Sequence, residues 1–385
     1  MMKQALRLTG LVALVSITLG CIVAIMSPHI ARADGGAPNL AYVAGGGQGI
    51  SVIDVSQQKV TKTIKLGGDP HTILLSLDGS TLFVTQPASN KLSVMDTRDD
   101  HTICSANVPV QPSLLAYDPD TRLLYTGGRG GKGVYEINST TCAIESTIET
   151  EGKVYGLALA RVSSGGASNI GNQLWVASEK HVTIYDLKQR KQIGSIEIAD
   201  GPQYLSIPPG TTVYVNTRAG NIQTIDLATH KVSQILTGGD FGPMDYDETT
   251  GEMYVPDRSK NQLLVLTPVH SGFQLPKEPG RVIKLAEKPQ SVAITSDGQL
   301  GFIALANGKV DMLDIPGRQI ITTLDVGGKP QFIITGLYPP AMPQNTTPSL
   351  WSTLPGIIAY VVIALIIIGI PLLLMSRRQR APHKR

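Results

Sequence analysis

Between Pro289 and Gly328 the chain breaks into four short apolar runs, residues 291–295, 300–304, 310–314 and 319–326. The separators are Ser-Asp-Gly-Gln, Ala-Asn-Gly-Lys and Ile-Pro-Gly-Arg, turn chemistry that admits positive φ or a proline-set corner. Runs of Val, Ile, Leu and Thr of this length, joined by tight turns, predict an antiparallel meander of four strands. One such sheet has two apolar faces and two open edges, so it is not stable by itself. The rest of the chain must cover it.

The same unit recurs. A large aromatic falls in the second run each time, at Tyr42, Phe83, Tyr125, Trp175, Tyr214, Tyr254 and Phe302. The third run ends 11 to 13 positions later, at Asp54, Asp96, Asn138, Asp186, Asp226, Thr267 and Asp314. A corner follows at Gly67-Gly68-Asp69-Pro70, Gln111-Pro112, Gly201-Pro202, Gly242-Pro243, Lys288-Pro289 and Gly327-Gly328-Lys329-Pro330. The third unit lacks the proline and carries Gly152-Lys153-Val154 instead. A period of about 40 residues with four strands each predicts propeller blades, and seven aromatics predict seven of them. The repeats begin at a second strand (40–44) and end after a first strand (331–336). The last strand is therefore expected to complete the N-terminal blade and remove the final open edge. The predicted fold is all-β: a seven-bladed β-propeller of four-stranded antiparallel blades, followed by a C-terminal transmembrane helix.

The unit resembles the YVTN-type β-propeller repeat family. The likeness rests on Tyr214-Val215-Asn216-Thr217, Leu40-Ala41-Tyr42-Val43-Ala44, the Ser296-Asp297-Gly298 turn, Val52-Ile53-Asp54 and the Gly67-Gly68-Asp69-Pro70 corner, and spans residues 40–336. It implies an extracytoplasmic propeller and says little about activity, since relatives of the family include surface proteins, haem-d1 domains and lactonase-like enzymes.

The two ends carry targeting patterns. In residues 1–33, Lys3 and Arg7 precede an apolar run, and Ala31-Arg32-Ala33 offers a small-x-small cleavage site. This predicts a secretory signal, with an uncleaved anchor as the alternative. Cys21 is not read as a lipidation site, because Thr18 replaces the branched aliphatic and apolar residues follow. Residues 356–375 are 20 positions without a charge, followed by Arg377, Arg378, Arg380, Lys384 and Arg385. That is one bilayer span with a basic cytoplasmic tail at 376–385, which predicts a single-pass cell-membrane protein. Residues 338–355, rich in proline, read as a semi-rigid spacer, leaving 34–337 for the propeller. Asn138-Ser139-Thr140 and Asn345-Thr346-Thr347 are glycosylation sequons only in a host that modifies asparagine.

Charge narrows the partners. The formal charge of +3 comes from the targeting ends, and residues 34–355 hold 25 basic against 30 acidic residues. That balance excludes broad nucleic-acid binding. Cys104 and Cys142 remain after signal removal. Both are placed near outer strands of consecutive blades, which diverge, so the pair is expected to stay unbonded. There is no Cys-x-x-Cys-His and no zinc-like Cys/His spacing.

In a meander blade the fourth-to-first and second-to-third connections share one face, here called the top. Its loops carry more basic than acidic residues, with Arg129, Lys132, Lys180, Arg218, Arg258 and Lys260 prominent, and the bottom loops carry the reverse. The residue after each corner is expected to line the channel mouth: His71, Ser113, Tyr155, Gln203, Met244, Gln290 and Gln331. This is a mostly neutral hydrogen-bonding collar. A metal-dependent hydrolase needs several converging carboxylate, Asn or His ligands there, and His71 is the only ready one. There is no Gly-x-Ser-x-Gly, and the glycine runs at 45–49 and 127–133 do not end in Gly-Lys-Ser/Thr. No catalytic residue, metal or cofactor is assigned. The reading is a monomeric binding or scaffold module for a surface protein, glycan or small molecule. The alternative is a lactonase-like enzyme or haem-d1-like cofactor carrier.

Overall fold

The computed structural model describes residues 39–160, 172–208, 210–269 and 281–336. The signal, the insertion 163–171, the spacer, the apolar segment 356–375 and the basic tail lie outside them. No helix among the described residues is long and apolar enough to cross a membrane. The transmembrane helix expected from the sequence therefore has no counterpart in the described structure.

In chain order, β1 (Leu40–Gly46), β2 (Gly49–Asp54) and β3 (Lys59–Lys65) pair side by side. A second sheet holds β4 (Ile73–Leu75), β5 (Thr81–Gln86), β6 (Lys91–Asp96) and β7 (Thr102–Asn107). Next come β8 (Pro112–Asp118), β9 (Leu123–Gly128), β10 (Lys132–Asn138) and β11 (Ile144–Ala160). The far half of β11 pairs onward into β12 (Gln173–Ser178), β13 (His181–Asp186) and β14 (Lys191–Glu197). Three further sheets follow in sequence order. They are β15 (Pro202–Ser206), β16 (Thr212–Thr217), β17 (Asn221–Asp226) and β18 (Val232–Thr237); then β19 (Asp245–Tyr246), β20 (Met253–Asp257), β21 (Gln262–Leu266) and β22 (Arg281–Lys284). The last holds β23 (Pro289–Ile294), β24 (Leu300–Leu305), β25 (Lys309–Asp314) and β26 (Gln319–Asp325). β27 (Phe332–Gly336) returns to pair antiparallel with β1.

This corrects the expected architecture. There are five discrete four-stranded blades rather than seven, and β8 to β14 form one seven-stranded sheet. The cause is local. Where the other units turn at a proline or glycine corner, Gly152-Lys153-Val154 keeps the backbone extended, and the 17 residues of β11 run through from one unit to the next. β10 reads only the near half of that strand, and its register jumps between Val134↔Ile148 and Lys132↔Lys153.

Inner strands are buried along their length, as in β2 and β16, whereas the outer strands β3, β14 and β26 cover little beyond Ile64, Ile196 and Leu324. All seven second-strand aromatics are among the largest fully buried side chains. They pack between sheets, which supplies the cover that one meander lacks.

The residue closing each third strand also has a physical role. Asp54, Asp186, Asp226 and Asp314 accept the backbone N–H three positions on, from Gln57 (2.9 Å), Gln189 (2.7 Å), Thr229 (2.7 Å) and Gly317 (2.8 Å). One residue later the chain takes positive φ, at Gln58, Arg190, His230 and Arg318. A short carbonyl side chain is needed to hold such a turn. Asn138 does the same for Thr140 and Thr141, and Cys142 takes the positive φ that follows.

That turn overturns the expectation for the cysteines. Cys142 is not on an outer strand: it sits in the β10–β11 turn, beside β7 of the neighbouring sheet, with its Cα 5.8 Å from that of Cys104. The two form a disulfide across 38 residues of sequence.

Closure is the other long-range link. β27 pairs with β1 from Leu40↔Gly336 to Ala44↔Phe332, and Lys329 and Gln331 donate N–H to Gly45 and Ala44 carbonyls at 2.8 and 2.9 Å. Ile333 is buried with Ala41, Val43 and Ile53 on one side and Phe302 and Met312 on the other. Ile333→Ala is expected to cost about 2–4 kcal/mol in urea unfolding, and Ile321→Ala on the exposed outer strand less than about 0.5 kcal/mol. Equal small effects would show that the closing strand is ornamental. Replacing both Cys104 and Cys142 by serine is expected to lower stability by about 2–4 kcal/mol; an unchanged melting temperature would show that the cross-link contributes nothing.

Candidate functional site

The first strands line the channel, and register against the second-strand aromatics aligns them. Leu74 pairs with Phe83, Ala116 with Tyr125, Ala158 with Trp175, Ser206 with Tyr214, Asp245 with Tyr254, Ala293 with Phe302 and Ile334 with Tyr42. Three residues earlier stand His71, Ser113, Tyr155, Gln203, Gly242, Gln290 and Gln331. All of the predicted collar residues are half-buried. Ser113, Tyr155, Gln203 and Gln290 are each the extra residue of a bulge, where the ladder skips one position.

Met244 is the exception. It lies two residues deeper than the collar, and Gly242 takes the collar position. The Gly242-Pro243 pair looks in sequence like the other corners, but the Phe241↔Asp257 bridge occupies the place that Pro112↔Gly128 and Pro289↔Leu305 hold elsewhere. A Cβ at Gly242 would come 2.5 Å from the Gln290 carbonyl oxygen, so the ring has no side chain there. Met244 still shares with His71 and Ser113 a cavity of about 190 Å³, walled below by Leu114, Leu115, Leu157, Leu205 and Phe332.

Tyr155 carries the densest arrangement at this mouth. The Arg218 guanidinium carbon lies 4.3 Å from its ring centroid and that of Arg129 5.5 Å, distances at which a cation is attracted by the ring face. Arg218 also donates to the Glu179 carbonyl at 2.5 Å and faces the Glu179 carboxylate at 3.8 Å. Arg129 is exposed and has no ion pair among the described residues. Beside it Lys132 and Lys153 stand directly opposite each other across β10 and β11, both exposed. Like charges so placed repel, which leaves a positive field without a structural counter-ion.

Burial holds the His71 imidazole below its ordinary range; Arg129 pushes the same way and Asp69 opposes. The Thr72 hydroxyl donates to the Ser113 carbonyl at 2.7 Å, so its oxygen receives His71 Nδ1–H at 3.1 Å. That network assigns the proton to Nδ1 and leaves Nε2 as an acceptor. Of the other predicted top-face residues, Arg258 is committed to Asp240 at 3.1 Å and to the Phe241 carbonyl at 3.1 Å. Lys180 and Lys260 are exposed on separate loops and join no cluster.

The sequence reading missed the opposite mouth. Asp245 is the one acid among the seven paired positions above, the others being Leu, Ala, Ser or Ile. It borders a bottom cavity of about 380 Å³. Its carboxylate accepts the Ile294 N–H at 2.7 Å. Burial pushes its pKa up to about 6, hydrogen bonds from the Ile294 and Tyr246 backbones oppose this, and the Glu248 charge adds to it. Strand pairing read from the aromatics would have found it, because the acid breaks a small-apolar column.

One group of possible metal ligands, Asp96, Asp99 and His101, lies in the exposed β6–β7 turn. Arg98 grips Asp96 through Nε at 2.9 Å and a second contact, and holds its pKa down to about 2. His101 Nδ1 meets Asp99 at 2.5 Å. Their ligand atoms lie within 4.8 Å of one another, but each is already held by a neighbouring side chain.

The Asp245 carboxyl yields a pH prediction. Its folded pKa is above the ordinary 3.8, so its contribution is full below about pH 4 and lost as pH rises through about 6. Asp245→Asn keeps the acceptor for Ile294 and is expected to be about 1–3 kcal/mol more stable than the parent above pH 6, with the gap closing by pH 4. Urea unfolding at both pH values checks this; a pH-independent gap would mean that the carboxyl titrates as if in water.

No protein-family model and no curated protein sequence matches the chain. Solved structures do. A functionally unknown protein from Desulfotomaculum acetoxidans is 14% identical with a TM-score of 0.64, covering 78% of this chain and 99% of that one. A dihydro-heme d1 dehydrogenase, NirN, solved in complex with DHE, is 14% identical with a TM-score of 0.58, covering 80% and 77%. The β-propeller domain of Myceliophteria thermophila Cps50 (Swd1) is 14% identical with a TM-score of 0.58, covering 72% and 92%. Identities this low speak to fold and not to activity. By its strand pairing and by these likenesses, the chain is a β-propeller.

Proposed function

We propose that the chain is a binding module whose top channel mouth takes the negatively charged group of a small molecule, glycan or surface protein. The observation that carries this is the gathering of the Arg129 and Arg218 guanidiniums at the Tyr155 ring, 5.5 and 4.3 Å from its centroid. Arg129, Lys132 and Lys153 have no counter-ion among the described residues, and two guanidiniums held by one ring are preoriented for a carboxylate or phosphate. The neutral collar adds hydrogen-bonding groups without competing charge. The collar cavity, about 190 Å³, is below the range of roughly 300–1,000 Å³ usual for whole-ligand pockets. It suits one end of a ligand, with the rest lying across the top face.

Localisation is part of the same proposal. Leu40 and Gly336 pair at the bottom, so both ends of the described chain leave by that face. The charge-free run 356–375 and the basic residues after it support an extracytoplasmic module held at a cell membrane. The enzyme alternative rests on His71, whose Nδ1 is engaged with Thr72 and on which Asp69 and Arg129 act in opposite directions.

The test is a thermal-shift panel of small carboxylates and organic phosphates on the full-length chain, with salt titration of any hit. Arg129→Ala and Arg218→Ala are each expected to weaken binding by about tenfold, the loss expected when a charge-assisted contact worth ~1.5 kcal/mol is removed, with little change in melting temperature without ligand. Affinity should fall as salt rises. Binding that is indifferent to both arginines would place the ligand elsewhere.

A further inference from the structure

The bottom mouth of the channel is unlike the top. Its cavity of about 380 Å³ is walled by Leu74, Leu75 and Leu77 from one sheet and by Ile294 and Ile334 from two others. Asp245 and Glu248 are the charged residues of its lining, and no Lys, Arg or His contributes to it. A half-buried carboxylate in aliphatic surroundings, with no cation beside it, is costly to keep ionised. At the six register-equivalent positions the ring uses Leu74, Ala116, Ala158, Ser206, Ala293 and Ile334. The fold asks of position 245 an acceptor for the Ile294 N–H, which an uncharged amide would supply as well, so it is the negative charge that calls for another reason.

Two of the other polar side chains of the wall are already engaged, and the Tyr246 and Ser296 hydroxyls complete its polar lining. Thr335 Oγ1 donates to the Ile294 carbonyl at 3.2 Å, and Ser76 Oγ donates to Asp78 at 2.6 Å. Asp245 receives the Ile294 N–H at 2.7 Å and a backbone hydrogen bond from Tyr246. A carboxylate offers about four lone-pair sites, so acceptor capacity remains. The cavity thus presents hydrocarbon on most sides, an acceptor that carries negative charge, and a second acid, Glu248, exposed at the rim. Two carboxylates without His or Cys are too few for calcium or a transition metal. An organic ammonium satisfies every part: its N–H groups meet the carboxylate and its carbon skeleton covers the leucines and isoleucines.

We propose that the bottom mouth is a second binding site, for a small hydrophobic ammonium ion, with Asp245 as its counter-charge. It shares no residue with the top mouth and does not depend on the reading of that site. The volume lies within the usual range for small-ligand pockets, and Leu77, 77% exposed at the cavity edge, gains cover when the site is filled.

The test uses three ligands of one shape and different charge: cyclohexylammonium, cyclohexanol and cyclohexanecarboxylate. Binding of each to the full-length chain is measured by equilibrium dialysis at pH 7.5, with Asp245→Asn and Glu248→Gln variants alongside. The expected result is saturable one-to-one binding of cyclohexylammonium, at least tenfold weaker binding of the alcohol, and none of the carboxylate. Asp245→Asn should weaken the ammonium at least tenfold and leave the alcohol unchanged, whereas Glu248→Gln should weaken it less than threefold. Equal binding of ammonium and alcohol, ammonium binding unaffected by Asp245→Asn, or no saturable binding of the ammonium would each overturn the proposal. If Asp245→Asn does not fold, the ranking of the three ligands on the parent chain decides it.

Discussion

A ring of sheets has no stable partial form, because each sheet needs cover on both faces and the last one must meet the first. Here that requirement falls on five residues, Phe332–Gly336, which pair with β1 and bury Ile333 against the final sheet. On the other face of the same strand Ile334 packs with Tyr42, Ile73 and Leu82 toward the second sheet. The closing strand therefore joins three sheets at once. Without it, two apolar faces and a hydrogen-bonding edge would face water together. The disulfide adds a second tie between neighbouring sheets at the outer rim, far from the channel.

The channel inherits its chemistry from how the first strands are aligned by this ring. Bulges at the top set Ser113, Tyr155, Gln203 and Gln290 out of the ladder, and Ser113 meets His71 at a shared cavity. Deeper in, most of the aligned positions carry leucine, alanine or isoleucine. At the bottom one acid interrupts that column. The two mouths thus differ in sign: guanidiniums and lysines above, carboxylates below. On the two proposals made above, each mouth would repel the ligand class suited to the other.

Much of this was legible in the sequence, because propeller strands repeat a local pattern. The seven aromatics, the Asp or Asn that closes most third strands, and the incomplete first blade all follow from burial and turn chemistry within about ten residues of each position. Tyr155, Arg129 and Arg218 were each identifiable as top-face residues from connectivity. Their stacking was not, since Arg218 and Tyr155 are 63 positions apart and meet only when neighbouring sheets are set at their packing distance.

What the sequence by itself determined was the all-β repeat and the seven second-strand aromatics at the centre of the packing. Tertiary structure decided the rest. It merged the third and fourth units into one sheet, because an extended Gly-Lys-Val is compatible with a corner or with a continuous strand, and only the neighbouring strands choose. It brought Cys142 to Cys104 because a turn, not a strand, carries Cys142 past the outer edge. It moved the collar two residues, from Met244 to Gly242, because Phe241 and not Pro243 bridges to the second strand. And it set Asp245 in an apolar column, because which residues line a channel depends on pairing between strands, and pairing is not a property of any one strand.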